Sequence, residues 1–146
     1  MTQHCLSVMR KQQTGGDILN IVSKNALVSG PDNSGYGSAK AAQLHLSRLS
    51  AAELGKDGIR VNVVNPDAVI AGSHIWEGAW AEGRAKAYGI TTGELPAFYA
   101  KRTLLNKIIE PEDIANACFV FVSGLLSKST GNVLNVDGGI PAAFVR

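Results

Sequence analysis

Short apolar runs alternate with helix-period stripes along this chain, and their order predicts its elements. Over residues 2–13, Cys5, Leu6 and Met9 recur at helical spacing, and Gly15-Gly16 supply a stop. Residues 18–22 form a short apolar run with β-branched side chains, suited to a buried parallel strand. The turn-rich Gly30-Pro31-Asp32-Asn33-Ser34-Gly35 leads into a helix over 36–54, from Tyr36 to Leu54, closed by Gly55 and Gly58. Leu44 lies about 200° around that helix from Leu46, at about 100° per residue, which predicts burial on two sides. A second strand covers 59–64 and ends at Asn65-Pro66. Residues 67–110 form a long irregular insert with two short helical pieces. One piece carries Trp76 and Trp80, four apart; the other follows Thr92 as N-cap and runs over 94–105. Glu110-Pro111-Glu112-Asp113 marks a helix start whose buried face is Ile114, Cys118, Phe121 and Val122, with Gly124 at its end. The third strand, 133–136, finishes in Asp137-Gly138-Gly139. The order β-α-β-insert-α-β argues for an α/β fold with a parallel sheet and right-handed crossovers.

Composition narrows the picture. At 146 residues the chain suits one domain, and 45% hydrophobic with 18% charged residues describes a soluble globular protein. A net charge of +2 with scattered basic residues gives no grip on nucleic acid or an anionic membrane. No apolar run approaches the roughly 18 residues of a membrane span. The opening Met-Thr-Gln-His-Cys-Leu-Ser lacks the regions of a signal peptide, so the expected compartment is cytoplasmic. Cys5 and Cys118, in helix-like segments, read as buried reduced thiols. His4, His45 and His74 have no metal-ligand spacing, and no metal site is expected.

Candidate chemistry centres on Tyr36 and Lys40. Four apart on one helix, the phenol and the ammonium share a face one turn apart. A fixed cation stabilises the negative charge a phenol carries once its proton leaves, which suits Tyr36 to acid/base work. Ser23 lies thirteen residues earlier, where the first strand ends and a loop back to the helix would set its hydroxyl beside the phenol. A Tyr-x-x-x-Lys pair equally describes a solvated helix face, and Ser23 equally reads as the cap of the turn after a strand.

The ordered set decides between these readings. Strand-like Ile-Leu-Asn-Ile-Val-Ser, then Tyr-Gly-Ser-Ala-Lys, Gly-Ile-Arg-Val-Asn-Val-Val-Asn-Pro and Asn-Val-Asp-Gly-Gly resemble the C-terminal half of the short-chain dehydrogenase/reductase family, over about 16–139. The resemblance implies the C-terminal part of a Rossmann-like doubly wound sheet, three strands of the family's usual seven, with 67–110 as a substrate-covering lid. It implies alcohol–carbonyl interconversion with NAD or NADP, Tyr36 exchanging the proton. Lys40 would support Tyr36 and bind the nicotinamide ribose, and Ser23 would hold the substrate oxygen. Pro66 and the Val69 backbone match positions that flank and bind the nicotinamide amide. Asp67 stands where the family has Gly, and Ala71 where it has a Thr that donates to the cofactor. The helix over 36–54 would pair subunits into a homo-oligomer. Trp76, Trp80, Tyr88, Phe98 and Tyr99 would pack the lid, with Lys101 and Arg102 solvated.

No glycine-rich turn follows a strand and opens a helix in this sequence, as a dinucleotide site requires. The expected strand over 18–22 is therefore an open edge, and the segment that would choose between NAD and NADP is not in it. Two classes of function follow: a dehydrogenase using Ser23, Tyr36 and Lys40, or a catalytically silent fragment that serves as an assembly module. A closer resemblance lies in Val-Ser-Lys-Asn-Ala-Leu-Val, Asn-Pro-Asp-Ala-Val and Phe-Tyr-Ala-Lys-Arg-Thr-Leu-Leu. These are similar to the dehydrogenase portion of bifunctional rhamnulose-1-phosphate aldolase/alcohol dehydrogenases, which implies a small hydroxyaldehyde substrate such as lactaldehyde.

Overall fold

The computed structural model describes residues 2–144, so Met1, Val145 and Arg146 of the expected 1–146 domain lie outside the described residues. Three parallel strands, β1 (Gly16–Ile21), β2 (Ile59–Pro66) and β3 (Val133–Val136), lie in the order β1-β2-β3. The register sets Ile18 beside Val61 and Asn65 beside Asn135. Five helices accompany them: α1 (Thr2–Gln12), α2 (Ser34–Leu54), α3 (Gly78–Tyr88), α4 (Leu95–Lys101) and α5 (Pro111–Val122).

Strand periodicity assigns the two faces of the sheet. Ile59, Val61 and Val63 of β2 pack with Leu44, Ala51 and Leu54 of α2, and α1 adds Leu6 and Met9 to that side. Val64 points the other way, into Ala117 and Phe121 of α5, with Leu19 and Val136 beside it. Helices on both faces of a parallel sheet make the doubly wound arrangement that the pattern predicts. Ile59, Val61, Val63 and Val64 are each at most 1% exposed, and burying such a side chain contributes about 1.5–3 kcal/mol.

Polar groups fix the ends. Arg60 donates to the carbonyls of Phe121 (3.2 Å) and Leu126 (2.7 Å) and pairs with Asp17 at 2.7 Å, tying the α5 terminus to β1 and β2. Gly58, with φ 68°, rather than Gly55, turns the chain out of the α2 region, because Gly55 keeps a helical φ of −56°. A Cβ on Gly15 would meet the Gly58 carbonyl oxygen at 2.5 Å, so the turns before β1 and β2 touch backbone to backbone.

Several expected boundaries move. The first strand spans Gly16–Ile21 and is half-buried, because it pairs on one side only among the described residues. Thr91, not Thr92, makes the capping box with Glu94, and α4 stops at Lys101, leaving Leu104 and Leu105 exposed. Trp76 sits on a 3-10 turn (His74–Trp76) separated from α3 by Glu77 in extended backbone (φ −115°, ψ 157°), so the two tryptophans do not share a helix. Val122 is exposed, and Ala117 takes its place in the α5 core face. Cys5 is also exposed; Cys118 is half-buried, and burial pushes its thiol up from the ordinary range.

Phe121 is 4% exposed and Phe119, two residues away, 64% exposed, which separates core from surface on one helix. Phe121→Ala should cost about 3–5 kcal/mol, against about 0.5 kcal/mol or less for Phe119→Ala. Urea midpoints of the two variants read the difference.

Candidate active site

The sequence brings Ser23, Tyr36 and Lys40 to one corner, beyond the C-terminal end of β1. Two residues after β1 ends, Ser23 takes up extended backbone (φ −178°, ψ 150°) and caps the 3-10 turn Lys24–Ala26. Its Oγ accepts from the Asn25 N–H at 3.2 Å. That turn lies on the start of α2: a methyl on Gly37, next to Tyr36, would sit 3.5 Å from the Asn25 carbonyl oxygen. One turn further, Lys40 Nζ donates to the Ile21 carbonyl at 3.4 Å and to Gln43 Oε1 at 3.1 Å. The ammonium is 5.8 Å from the Tyr36 ring centroid, within reach of the ring's negative face.

Burial differs sharply across the three. Ser23 is 9% exposed, and Tyr36 is 49% exposed. A lysine ammonium has three N–H donors, and Lys40 uses two here, leaving one for a ligand hydroxyl. Ser23 Oγ spends one lone pair on Asn25 and keeps its O–H to donate. These free donors fit the ribose and substrate oxygens of a nicotinamide complex. Pro66 ends β2 opposite Val136, and Val69 forms an isolated bridge with Ile109 at the two ends of the insert.

Ser23 thus caps the turn, and its hydroxyl hydrogen has no acceptor among the described residues. Arg102 corrects an expectation. Its guanidinium pairs with Asp67 at 3.1 Å and stacks 4.2 Å from the Tyr99 ring, while Lys101 stays exposed. Asp67, its side chain only 6% exposed, also faces Lys24 at 3.6 Å. One carboxylate thus joins the residue after Ser23 to the insert. Asn65 and Asn135 were equally unforeseen. The signal was a set of asparagines at 20, 62, 65 and 135 inside strands, where Asn is disfavoured unless its amide is bonded.

The insert has its own small core, Ala81, Ala85 and Leu95 with Trp76, Tyr88 and Tyr99 packed on it. Trp76 meets Trp80 (4.6 Å) and Tyr99 (4.9 Å) edge to face, and Tyr88 stacks on Phe98 at 4.4 Å. These aromatics pack among themselves and on the insert's own core, where the expectation had them packing the lid against the body. Among the described residues no cluster of three or more His, Cys, Asp or Glu is placed to hold a metal. No helix among them is long and apolar enough to cross a membrane.

Comparison with known proteins agrees with the fold. The family model described as enoyl-(acyl carrier protein) reductase matches residues 1–141. The chain belongs to the short-chain dehydrogenase/reductase family. An uncharacterized oxidoreductase, YuxG, of Bacillus subtilis is 50% identical over 138 residues, 94% of this chain and 20% of that protein. A 3alpha-hydroxysteroid dehydrogenase of Mediterraneibacter gnavus is 34% identical over 136 residues, 88% of this chain and 46% of that one. Among solved structures, sorbitol-6-phosphate 2-dehydrogenase SrlD from Erwinia amylovora superposes with a TM-score of 0.85 at 25% identity, covering 96% of this chain and 53% of that one. The chain thus spans about half the length of the latter two and a fifth of the first.

Burial, and then the Tyr88 hydroxyl, push the Tyr99 phenol above the ordinary tyrosine range. A raised folded-state pKa favours the neutral form, so its stability contribution is whole below pH about 10 and falls as pH rises further. Alkaline absorbance titration should show a late-ionising tyrosine that Tyr99→Phe removes, and that variant should lose less stability above pH about 10.

Proposed function

We propose that this chain is the catalytic half of an NAD(P)-dependent short-chain dehydrogenase that interconverts an alcohol and a carbonyl. The observation that carries the reading is the convergence of Ser23, Tyr36 and Lys40 at the C-terminal end of β1, with the Ser23 hydroxyl hydrogen and one Lys40 N–H unspent. The nicotinamide, when bound, supplies the hydride chemistry. In the oxidation direction Tyr36 Oη would accept the proton of the substrate hydroxyl as the carbon–oxygen double bond forms, a bound oxidised nicotinamide being the hydride acceptor. In reduction the proton returns from Tyr36. Ser23 donates its O–H to the reacting oxygen and stabilises the charge that grows there. Lys40 holds positive charge beside the phenol and offers its remaining N–H to a ribose hydroxyl. Pro66 and the Val69 backbone border the nicotinamide. The compartment this reading assigns is the cytoplasm.

The substrate we propose is a small hydroxy compound such as a hydroxyaldehyde. The relatives named above act on alcohols as different as hydroxysteroids and a sugar phosphate, so the reading draws on two other supports. One is the resemblance to the dehydrogenase portion of bifunctional aldolase/dehydrogenase proteins. The other is that the 50%-identical relative is about five times longer than the stretch it shares. We further propose that two copies pair through α2, whose Leu46 and Leu49 are 62% and 47% exposed beside the buried Leu44 face.

A silent assembly module is the second reading, favoured by one observation. Among the described residues none of the three strands leads through a glycine-rich turn into an α-helix. Titration with NADH and NADPH, following nicotinamide fluorescence, separates the two. Saturable binding, by the chain alone or joined to a glycine-rich N-terminal half, supports the dehydrogenase; no binding in either form at millimolar dinucleotide supports the module. In the binding form Tyr36→Phe should lower turnover about 10²–10⁴-fold, and retained turnover removes Tyr36 from the reaction. Light scattering should find the chain self-associated, and a Leu46→Glu/Leu49→Glu variant smaller.

A further inference from the structure

Ser23 is held from behind. Its backbone N–H donates to Asn65 Oδ1 at 2.9 Å, a buried bond between the chain just past β1 and the end of β2. Asn65 has no exposed surface, so the two hydrogens of its amide need partners inside the protein. Asn65 Nδ2 donates to Asn135 Oδ1 at 3.0 Å, on the residue that the register places opposite it on β3. Asn135 Nδ2 donates in turn to the Ala143 carbonyl at 2.8 Å, in the 3-10 turn Pro141–Ala143. Three hydrogen bonds in series run from the C-terminal turn to Ser23.

The series has a direction. Turning the Asn65 amide over would set its NH₂ against the Ser23 N–H and its oxygen against Asn135 Oδ1, two repulsive contacts in a dry site. Asn135 cannot turn to relieve them without facing its own oxygen to the Ala143 carbonyl. Each amide is oriented by the next, and Ser23 receives the result. Its backbone is fixed by Asn65 and its Oγ by Asn25, which leaves the hydroxyl hydrogen as its free donor.

We infer that Asn65 is a positioning residue for Ser23 and that Asn135 holds the Asn65 amide in the sense that accepts the Ser23 N–H. The catalytic consequence rests on the dehydrogenase reading above; the geometric one does not. The C-terminal turn bears on the candidate serine across the full width of the three strands.

Amide hydrogen exchange on the chain itself tests the geometry. Asn65→Ala should speed exchange at Ser23 about tenfold or more while Val61 and Val63 stay within about threefold. Asn135→Ala should raise Ser23 exchange as well, and adding it to Asn65→Ala should raise Ser23 exchange by less than about twofold more, because Asn135 acts through Asn65. Equal acceleration at all amides, or an Asn135→Ala effect that adds in full to that of Asn65→Ala, overturns the inference; Asn135→Ala alone decides it, by Ser23 exchange against Val61 and Val63, if Asn65→Ala does not fold. In the dinucleotide-binding form, Asn65→Ala should lower kcat about tenfold with KM for the dinucleotide within about twofold. In a Ser23→Ala background it should add less than about twofold, and an undiminished penalty there overturns the inference. If Ser23→Ala costs no turnover, the catalytic reading of Ser23 fails, and the exchange result still stands or falls by itself.

Discussion

Strand β2 is buried from Val61 to Asn65, so every polar group it carries must be satisfied within the protein. Its backbone is served by parallel ladders on both sides. Its two buried side-chain amides are served by the loop before β3 and by β3 itself: Asn62 bonds Ser129 and Asn132, Asn65 bonds Ser23 and Asn135. An unpaired amide there would cost about 1–3 kcal/mol, more than most single contacts in the sheet contribute. The placement of β3, the entry to α2 and the position of Ser23 all answer to that requirement. Apolar burial brings the layers together, and these amides fix how they register.

The same strand explains why the site lies where it does. Parallel strands point the same way, so the loops after β1 and β2 emerge at one end, and ligands of such sheets bind beyond the carboxyl ends of the strands. Ser23, Lys24, Asp67 and Val69 all follow strand ends, Pro66 closes β2, and α2 returns Tyr36 and Lys40 to that end. Among the described residues β1 pairs on one side only, and its residues are mostly half-buried where those of β2 are mostly buried. A solved structure about twice as long superposes on 96% of this chain.

Element order, and the placement of Ser23 after β1 and of Tyr36 and Lys40 on α2, were legible because they rest on local signals. Strand runs, a proline-opened helix at Glu110 and glycine stops each act within a few residues of themselves. Boundaries went astray where two signals competed. Thr91 and Thr92 could both cap, and only Thr91 stands three residues before Glu94. The insert helix was expected to reach 105, because Leu104 and Leu105 continue its apolar pattern. In the fold the backbone N–H groups of those leucines turn away to the carbonyls of Gly139 and Gly138. Those partners are 35 and 33 residues on, and no local pattern encodes them. Cys5 failed for a similar reason: a helix stripe shows which residues share a face, not how deep the face sits. The buried asparagines were visible as misfits in strands, but their pairing depends on sheet register.

Asp67 shows how a departure from a family pattern can be read physically. Where the resembling family has Gly, a side chain is admissible only if the backbone does not need positive φ. Among the described residues the non-glycine positions with positive φ are Gln13, Asp32 and Asn106, and Asp67 is outside that set. The carboxylate therefore carries no backbone strain of that kind. It is nearly buried, and two cations stand against it: Lys24 from the loop that holds Ser23, and Arg102 from the end of α4. A buried carboxylate without partners would be costly, and each cation alone would be free to follow solvent. As a trio they tie the base of the insert to the loop carrying the candidate serine. Glycine at this point would leave the insert held to the rest by the residue-67 N–H on the Val136 carbonyl and by Thr103–Leu105 against Gly138-Gly139. The substitution thus adds a third point of attachment, at the place where a covering segment and a reacting group have to stay in register.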